Sequence, residues 1–145
     1  MKIKYIQFLF PILVFLYTGS KAQTNQEKIK KYLSMSMASL QVDPDSAESY
    51  ARMAFDLSKK ENNDLEKANS LNHIGLAKQF KADYKSADAF FDQALQQFQK
   101  LKNEKQKAGV LVNIGSNFYY LGDFNKSLHH YIKAITIYET IRDSV

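Results

Sequence analysis

The chain repeats itself every 40 residues, and this period limits its fold more than any other feature. Asp43, Asp83 and Asp123 are spaced by 40, as are Ala54, Ala94 and Ala134. Laying residues 64–103 on 104–143 without a gap aligns seven identical pairs: Lys67/Lys107, Ala68/Ala108, Leu71/Leu111, Ile74/Ile114, Gly75/Gly115, Asp83/Asp123 and Ala94/Ala134. Conservative pairs such as Phe80/Tyr120, Phe91/Tyr131 and Phe98/Tyr138 fall between them. A fixed period of this length marks an array in which no unit buries its apolar face alone and each is covered by its neighbour. Three units follow, at about 24–63, 64–103 and 104–143.

Each unit reads as two helices. In the middle unit Ala68, Leu71 and Gly75 form an i, i+3, i+7 stripe, and beyond Asp83 a second stripe runs through Ala87, Phe91, Ala94, Phe98 and Leu101. The recurring aspartate suits a helix N-cap, where a short carboxylate accepts the unpaired N–H groups of the first turn. Pro44 follows at a position where its missing N–H costs nothing. Asn62, Asn63 and Asn103 stand where one unit gives way to the next, and asparagine tolerates the left-handed turn that ends a helix. A glycine inside a helix costs about 1 kcal/mol against alanine, so its recurrence at positions 75 and 115 predicts close approach of the partner helix. Small Ala87, Ala94 and Ala134 fit that approach. Only five Gly and two Pro in 145 residues leave few turn residues for a many-stranded sandwich or barrel.

The segments Leu71-x-x-Ile74-Gly75 with Asp83-Tyr84-x-x-Ala87-x-x-x-Phe91-x-x-Ala94-Leu95, and Leu111-x-x-Ile114-Gly115-x-x-Phe118 with Gly122-Asp123-Phe124-x-x-Ser127-x-x-x-Tyr131-x-x-Ala134-Ile135, resemble tetratricopeptide repeats. The period of 40 is similar to the longer-helix branch of that family. The resemblance implies an all-α fold: antiparallel helix pairs stacked into a right-handed α-solenoid, with the first helix of each pair lining a concave groove for a peptide. Two positions of the good units depart from the usual residues, Lys78 where an aromatic is common and Ser127 where alanine is. Unit one departs further, with Met35 at the glycine position and Lys31 at the leucine position, so its first helix, carrying Leu33, Met37 and Leu40, is expected to pack at a shifted phase.

On that reading the groove presents Asn69, Asn72, Leu76, Gln79 and Phe80 from unit two and Gly109, Val112, Ser116, Tyr119 and Tyr120 from unit three. Amides and phenols beside apolar surface suit a peptide backbone. The family's clamp for a C-terminal carboxylate places an asparagine directly after the helix glycine. Leu76 and Ser116 hold that position here, which disfavours such ligands. The last helix carries a second apolar stripe, Leu128, Ile132 and Ile135, at i, i+4, i+7, where the middle unit has Asp88, Asp92 and Leu95. An apolar outer face on a terminal repeat implies an interface, filled by a continuation of the chain or by a second copy.

Chemistry of other kinds is poorly represented. Lacking cysteine, the chain has no disulfide, thiolate metal site or cysteine nucleophile. His129 and His130 are adjacent on a helix and point about 100° apart, unlike an i, i+4 ligand pair, and His73 lies on another helix. No nucleophile, metalloprotease or phosphate-loop motif is present. An enzyme, a metal site and a cofactor are therefore not expected.

The first 22 residues stand apart. Lys2 and Lys4 precede a wholly apolar run, Phe8 to Leu16, and small Ser20 and Ala22 place a cut before Gln23. This is the layout of a secretory signal peptide, and it is too short for a spanning helix of about 20 apolar residues. The formal charge of +5 includes Lys2, Lys4 and Lys21, so the chain from Gln23 carries only +2. Nucleic-acid binding needs clustered basic charge; protein or peptide partners are expected instead, in the periplasm or another exported location, with no membrane insertion after cleavage. The sequence thus predicts an exported binding array, the sensory N-terminal part of a larger bacterial signalling protein, or alternatively an envelope scaffold without a signalling role.

Overall fold

The computed structural model describes residues 24–144, so the expected signal peptide lies outside the described residues. These contain six helices and no strand: α1 (24–39), α2 (Pro44–Lys60), α3 (Asp64–Phe80), α4 (Tyr84–Lys100), α5 (Glu104–Tyr120) and α6 (Phe124–Asp143). From α2 to α6 each helix packs against its neighbours in sequence, with α3 also touching α5; α1 packs on α2 through Ile29, Leu33 and Ala54, and Leu40 at its end meets Ala77 of α3. The described residues form the all-α solenoid that the resemblance implied.

The connections from α2 to α6 are three residues long and share one design. The middle residue is left-handed: Asn62 (φ 53°), Ala82 (φ 57°), Lys102 (φ 53°) and Gly122 (φ 77°). The next residue closes one helix and opens another. At the second such turn Asp83 donates its N–H to the Lys78 carbonyl at 2.9 Å, while its carboxylate accepts from Ser86 N. Asn63, Asn103 and Asp123 do the same. Asn63 and Asn103 therefore cap the following helix; the left-handed residue is the one before each. Such a cap contributes about 1 kcal/mol and offsets the roughly 1 kcal/mol that a side chain loses in the left-handed region. The turn after α1 differs. Val42 there has no positive φ, as a β-branched residue resists it, and Asp43 N reaches Ser39 O instead.

The core explains the helix glycines. A Cβ at Gly75 would lie 2.6 Å from Phe91 Cδ1 and Cε1, and one at Gly115 would lie 2.8 Å from the same atoms of Tyr131. An aromatic ring, more than a bare backbone approach, fills the space. Full burial of Phe91 stabilises by about 1.5–3 kcal/mol, which outweighs the glycine's helix cost of about 1. Around it Ala68, Leu71, Ala87, Ala94, Phe98, Val110 and Ile114 form one cluster across units two and three. Unit one inverts the pair: Met35 stands in the glycine register and Ala51, fully buried, in the ring register. Its first helix buries Ile29, Leu33, Ser36 and Leu40, a phase displaced by one to two residues from Ala68, Leu71 and Gly75. Met37 is exposed, outside the core that Leu33 and Leu40 join.

Gly75→Ala is expected to destabilise by about 1–3 kcal/mol despite alanine's better helix propensity, read from the urea midpoint. Pairing it with Phe91→Leu should recover part of the loss.

Candidate functional site

The first helices α1, α3 and α5 lie side by side, and polar side chains tie them. Asn113 on α5 donates its amide to Asn72 Oδ1 on α3 at 2.9 Å. Gln79 on α3 donates to the Asn113 carbonyl at 3.3 Å and to Asn117 Oδ1 at 3.5 Å, and Asn117, fully buried, donates to the Tyr84 carbonyl at 2.9 Å. His73 and Ser36 join α3 to α1 at 3.4 Å. Buried amides are stable only when paired, so this ladder fixes the spacing of the first helices. Asn72 and Gln79, expected to face a ligand, belong to it. Asn113 and Asn117 escape a repeat alignment because His73 and Ala77 hold their places one unit earlier. Their signal was the i, i+4 pair of amides flanking Ile114 and Gly115.

Above this floor a pocket of about 500 Å³ spans all three first helices, lined by Met37, Leu40 and Val42, by Leu76 and Phe80, and by Asn113. A second of about 210 Å³ adjoins it at Gln79, Phe80, Tyr84 and Tyr120. Phe80 lines both and is 45% exposed. Tyr120 stacks on Tyr84 with centroids 5.7 Å apart yet stays exposed. Of the other candidates, Leu76 is half-buried against the core, Asn69 donates to Glu66 Oε2 at 2.9 Å, and Ser116 shares a 3.0 Å hydrogen bond with the Tyr131 hydroxyl. Met37, Gln41 and Val42 complete the groove from unit one, where the weaker sequence match drew no candidate.

Val112 and Tyr119 occupy a different place. In the 40-residue register they match Asn72 and Gln79, the residues that α5 covers, so they sit on the open side of α5 and are exposed. Leu128, Ile132 and Ile135 extend the open end along α6, 59%, 54% and 55% exposed. Structure thus divides the sequence candidates between a groove centred on Phe80 and an end face.

Electrostatics separate the units. The Glu48 carboxylate of α2 is pushed up by burial, but it accepts from Arg52 Nη2 at 2.7 Å and Lys81 Nζ at 3.1 Å and pairs with Lys78 Nζ at 3.1 Å, which together hold its pKa at about 2. Lys78, standing where the family commonly has an aromatic, thus serves as one of three cations on this carboxylate. One unit later Phe118 returns, stacked on His130 at 5.6 Å, and Asp88, in the Glu48 register, is pushed up by burial and by Asp92. Burial holds His73 neutral, with a pKa of about 4. His130 is likewise lowered by burial, and its Nδ1 has no hydrogen-bond partner among the described residues. No three His, Asp or Glu side chains there stand close enough to hold a metal ion, and no described helix is long and apolar enough to cross a membrane.

Comparison with known proteins agrees with this geometry. The profile of the tetratricopeptide repeat family matches residues 66–140, just over half of the chain. Among solved structures, the TPR domain of FLU from Arabidopsis is similar at a TM-score of 0.71 with 18% identity, over 80% of this chain and 98% of that one. A search of the curated proteins finds no match.

Because the Glu48 pKa lies below its ordinary 4.5, its stabilisation is complete above pH 4.5 and is lost as pH falls toward 2. Glu48→Gln should cost about 1–2 kcal/mol at pH 7, and the gap from the parent should close across that window in urea titrations. Asp88→Asn, relieving a raised carboxyl, should leave stability unchanged or higher at pH 7.

Proposed function

Since this chain belongs to the tetratricopeptide repeat family, whose domains mediate protein interactions on a usually non-catalytic scaffold, we propose that it is a peptide-binding module working after export. The Phe80 groove carries the proposal: an apolar pocket open across three helices whose spacing is fixed beneath it by paired amides. Phe80, Met37 and Val42 offer apolar surface for an anchor side chain, while Tyr120 and Asn113 at its margin provide hydrogen-bonding groups. No charged side chain lines the groove, so its ligand is an uncharged, apolar-anchored segment in extended or helical form. The positive start, apolar run and Ser20-Lys21-Ala22 end of residues 1–22 support export, with the periplasm of a bacterium as the destination. Within a larger signalling protein, such a module would be the sensory N-terminal part.

A peptide library panned on the protein from Gln23 onward should return sequences with a bulky apolar anchor. Phe80→Glu should weaken their binding at least tenfold with unchanged helical circular dichroism; equal binding by this variant would place the site elsewhere. In a bacterial host, N-terminal sequencing of the periplasmic product should begin at Gln23, and an intact Met1 there would contradict export by cleavage.

A further inference from the structure

The joint between units two and three leaves a cavity of about 510 Å³ that shares no residue with either pocket around Phe80. Its floor is apolar, with Leu95 from α4, Leu111 from α5, and Ile132 and Ile137 from α6, while Lys107, His129 and Lys133 stand on its rim. No acidic side chain lines it. Apolar walls with a few placed polar groups are the usual character of small-molecule sites, whose volumes run from roughly 300 to 1,000 Å³. The preceding joint is built differently. Forty residues before Leu95 stands Phe55, whose larger side chain packs into the core there. Across the same set Asp92 becomes Ile132, Lys59 becomes Gln99 and Gln93 becomes Lys133, so each joint has two lysines but only the earlier one has an acid among them. A further unit beyond α6 would not cover this cavity: Ala89, Asp92, Gln93 and Gln96, the α4 counterparts of His129, Ile132, Lys133 and Thr136, stay exposed with unit three stacked on α4. The cavity therefore belongs to the side of the array and not to its end.

Charge decides what would enter. Lys107 is held by Glu104 at 2.8 Å, whereas Lys133 is exposed and makes no hydrogen bond or ion pair among the described residues. A free cation at the margin of an apolar floor complements a carboxylate carried on a hydrocarbon tail. A peptide fits less well. Besides the cationic rim only Gln99 and Thr136 are polar, and the Thr136 hydroxyl already donates to the Ile132 carbonyl at 3.0 Å. That leaves one side-chain amide for a backbone that brings a donor and an acceptor with each residue. We propose that this cavity binds a single-chain fatty-acid carboxylate, its tail over Leu95, Leu111 and Ile132 and its head group at Lys133.

Calorimetric titration of the protein from Gln23 onward with hexanoate, octanoate and decanoate tests this, and affinity should rise about fourfold per buried methylene. Octanol, which lacks the charge, should bind about tenfold more weakly than octanoate. Lys133→Glu should weaken octanoate binding by about the same factor while leaving octanol binding unchanged. Leu95→Phe, which sets the residue of the preceding joint into the floor, should abolish both with circular dichroism unchanged. Phe80→Glu should leave octanoate binding at the parent strength, so that a failure here and a failure of peptide binding at Phe80 are read separately. The assignment would be overturned by decanoate that does not bind at millimolar concentration, or by octanoate no tighter than octanol. Octanoate binding that survives Lys133→Glu or Leu95→Phe, or that falls with Phe80→Glu, would overturn it too, as would tighter binding of N-acetyl-leucyl-leucine, whose carboxylate sits on a peptide backbone.

Discussion

Asn63 donates its backbone N–H back to the Ser58 carbonyl at 2.9 Å while its side chain accepts the Glu66 N–H at 3.0 Å, so one residue ends α2 and begins α3. Because the same bond pair recurs at Asp83, Asn103 and Asp123, every connection from α2 onward has three residues. The helices between these turns also match, α2 to α5 having 17 residues each. Equal helices and equal turns keep Gly75 over Phe91 and Gly115 over Tyr131 in the same register. The groove inherits that regularity. Phe80 and Tyr120 reach the same edge because each is the last residue of a first helix.

Much of this was written in the sequence at one scale and hidden at another. The 40-residue period exposed the aspartate caps, because a carboxylate at 43, 83 and 123 survives comparison between units. The turns themselves repeat every 20 residues, and there the chain alternates aspartate with asparagine and fills the left-handed place with Asn62, Ala82, Lys102 and Gly122. Only two of these four are residues that favour a positive φ, so composition could not reveal the position; the backbone bonds impose it. In the groove, Phe80 and Tyr120 were legible as aromatic residues ending apolar stripes. The amide ladder was not, since Gln79, Asn113 and Asn117 pair across units through positions that differ between them. Unit one supplied Met37 and Val42 to the groove from a segment where the match to the repeat is poorest.

Variation among the units follows from what each must join. Unit two sets Lys78 against Glu48 of the preceding helix, and unit three sets an aromatic, Phe118, against His130. Ser127, standing where alanine is usual, is buried with its carbonyl 3.2 Å from where a Gly115 Cβ would lie. In unit one the exchange of Gly–Phe for Met–Ala keeps bulk at the joint but moves it to the other helix, and the phase of α1 shifts with it. A repeat is conserved here as a set of packing volumes and paired charges more than as a set of residues.

The confinement of contacts to neighbouring helices has an energetic side. When nearly every interaction is between adjacent elements, stability is a sum of local unit and joint terms, and an array can open from one end without losing the rest. Loop closure is cheap, so folding is fast and fraying easy. The pocket around Phe80 is walled by α1, α3 and α5 at once. A peptide seated there links three units that the chain itself joins only in series. Its occupancy would convert a sequential structure into a cooperative one, so that the bound state is distinguished less by shape than by the loss of independent motion among its parts.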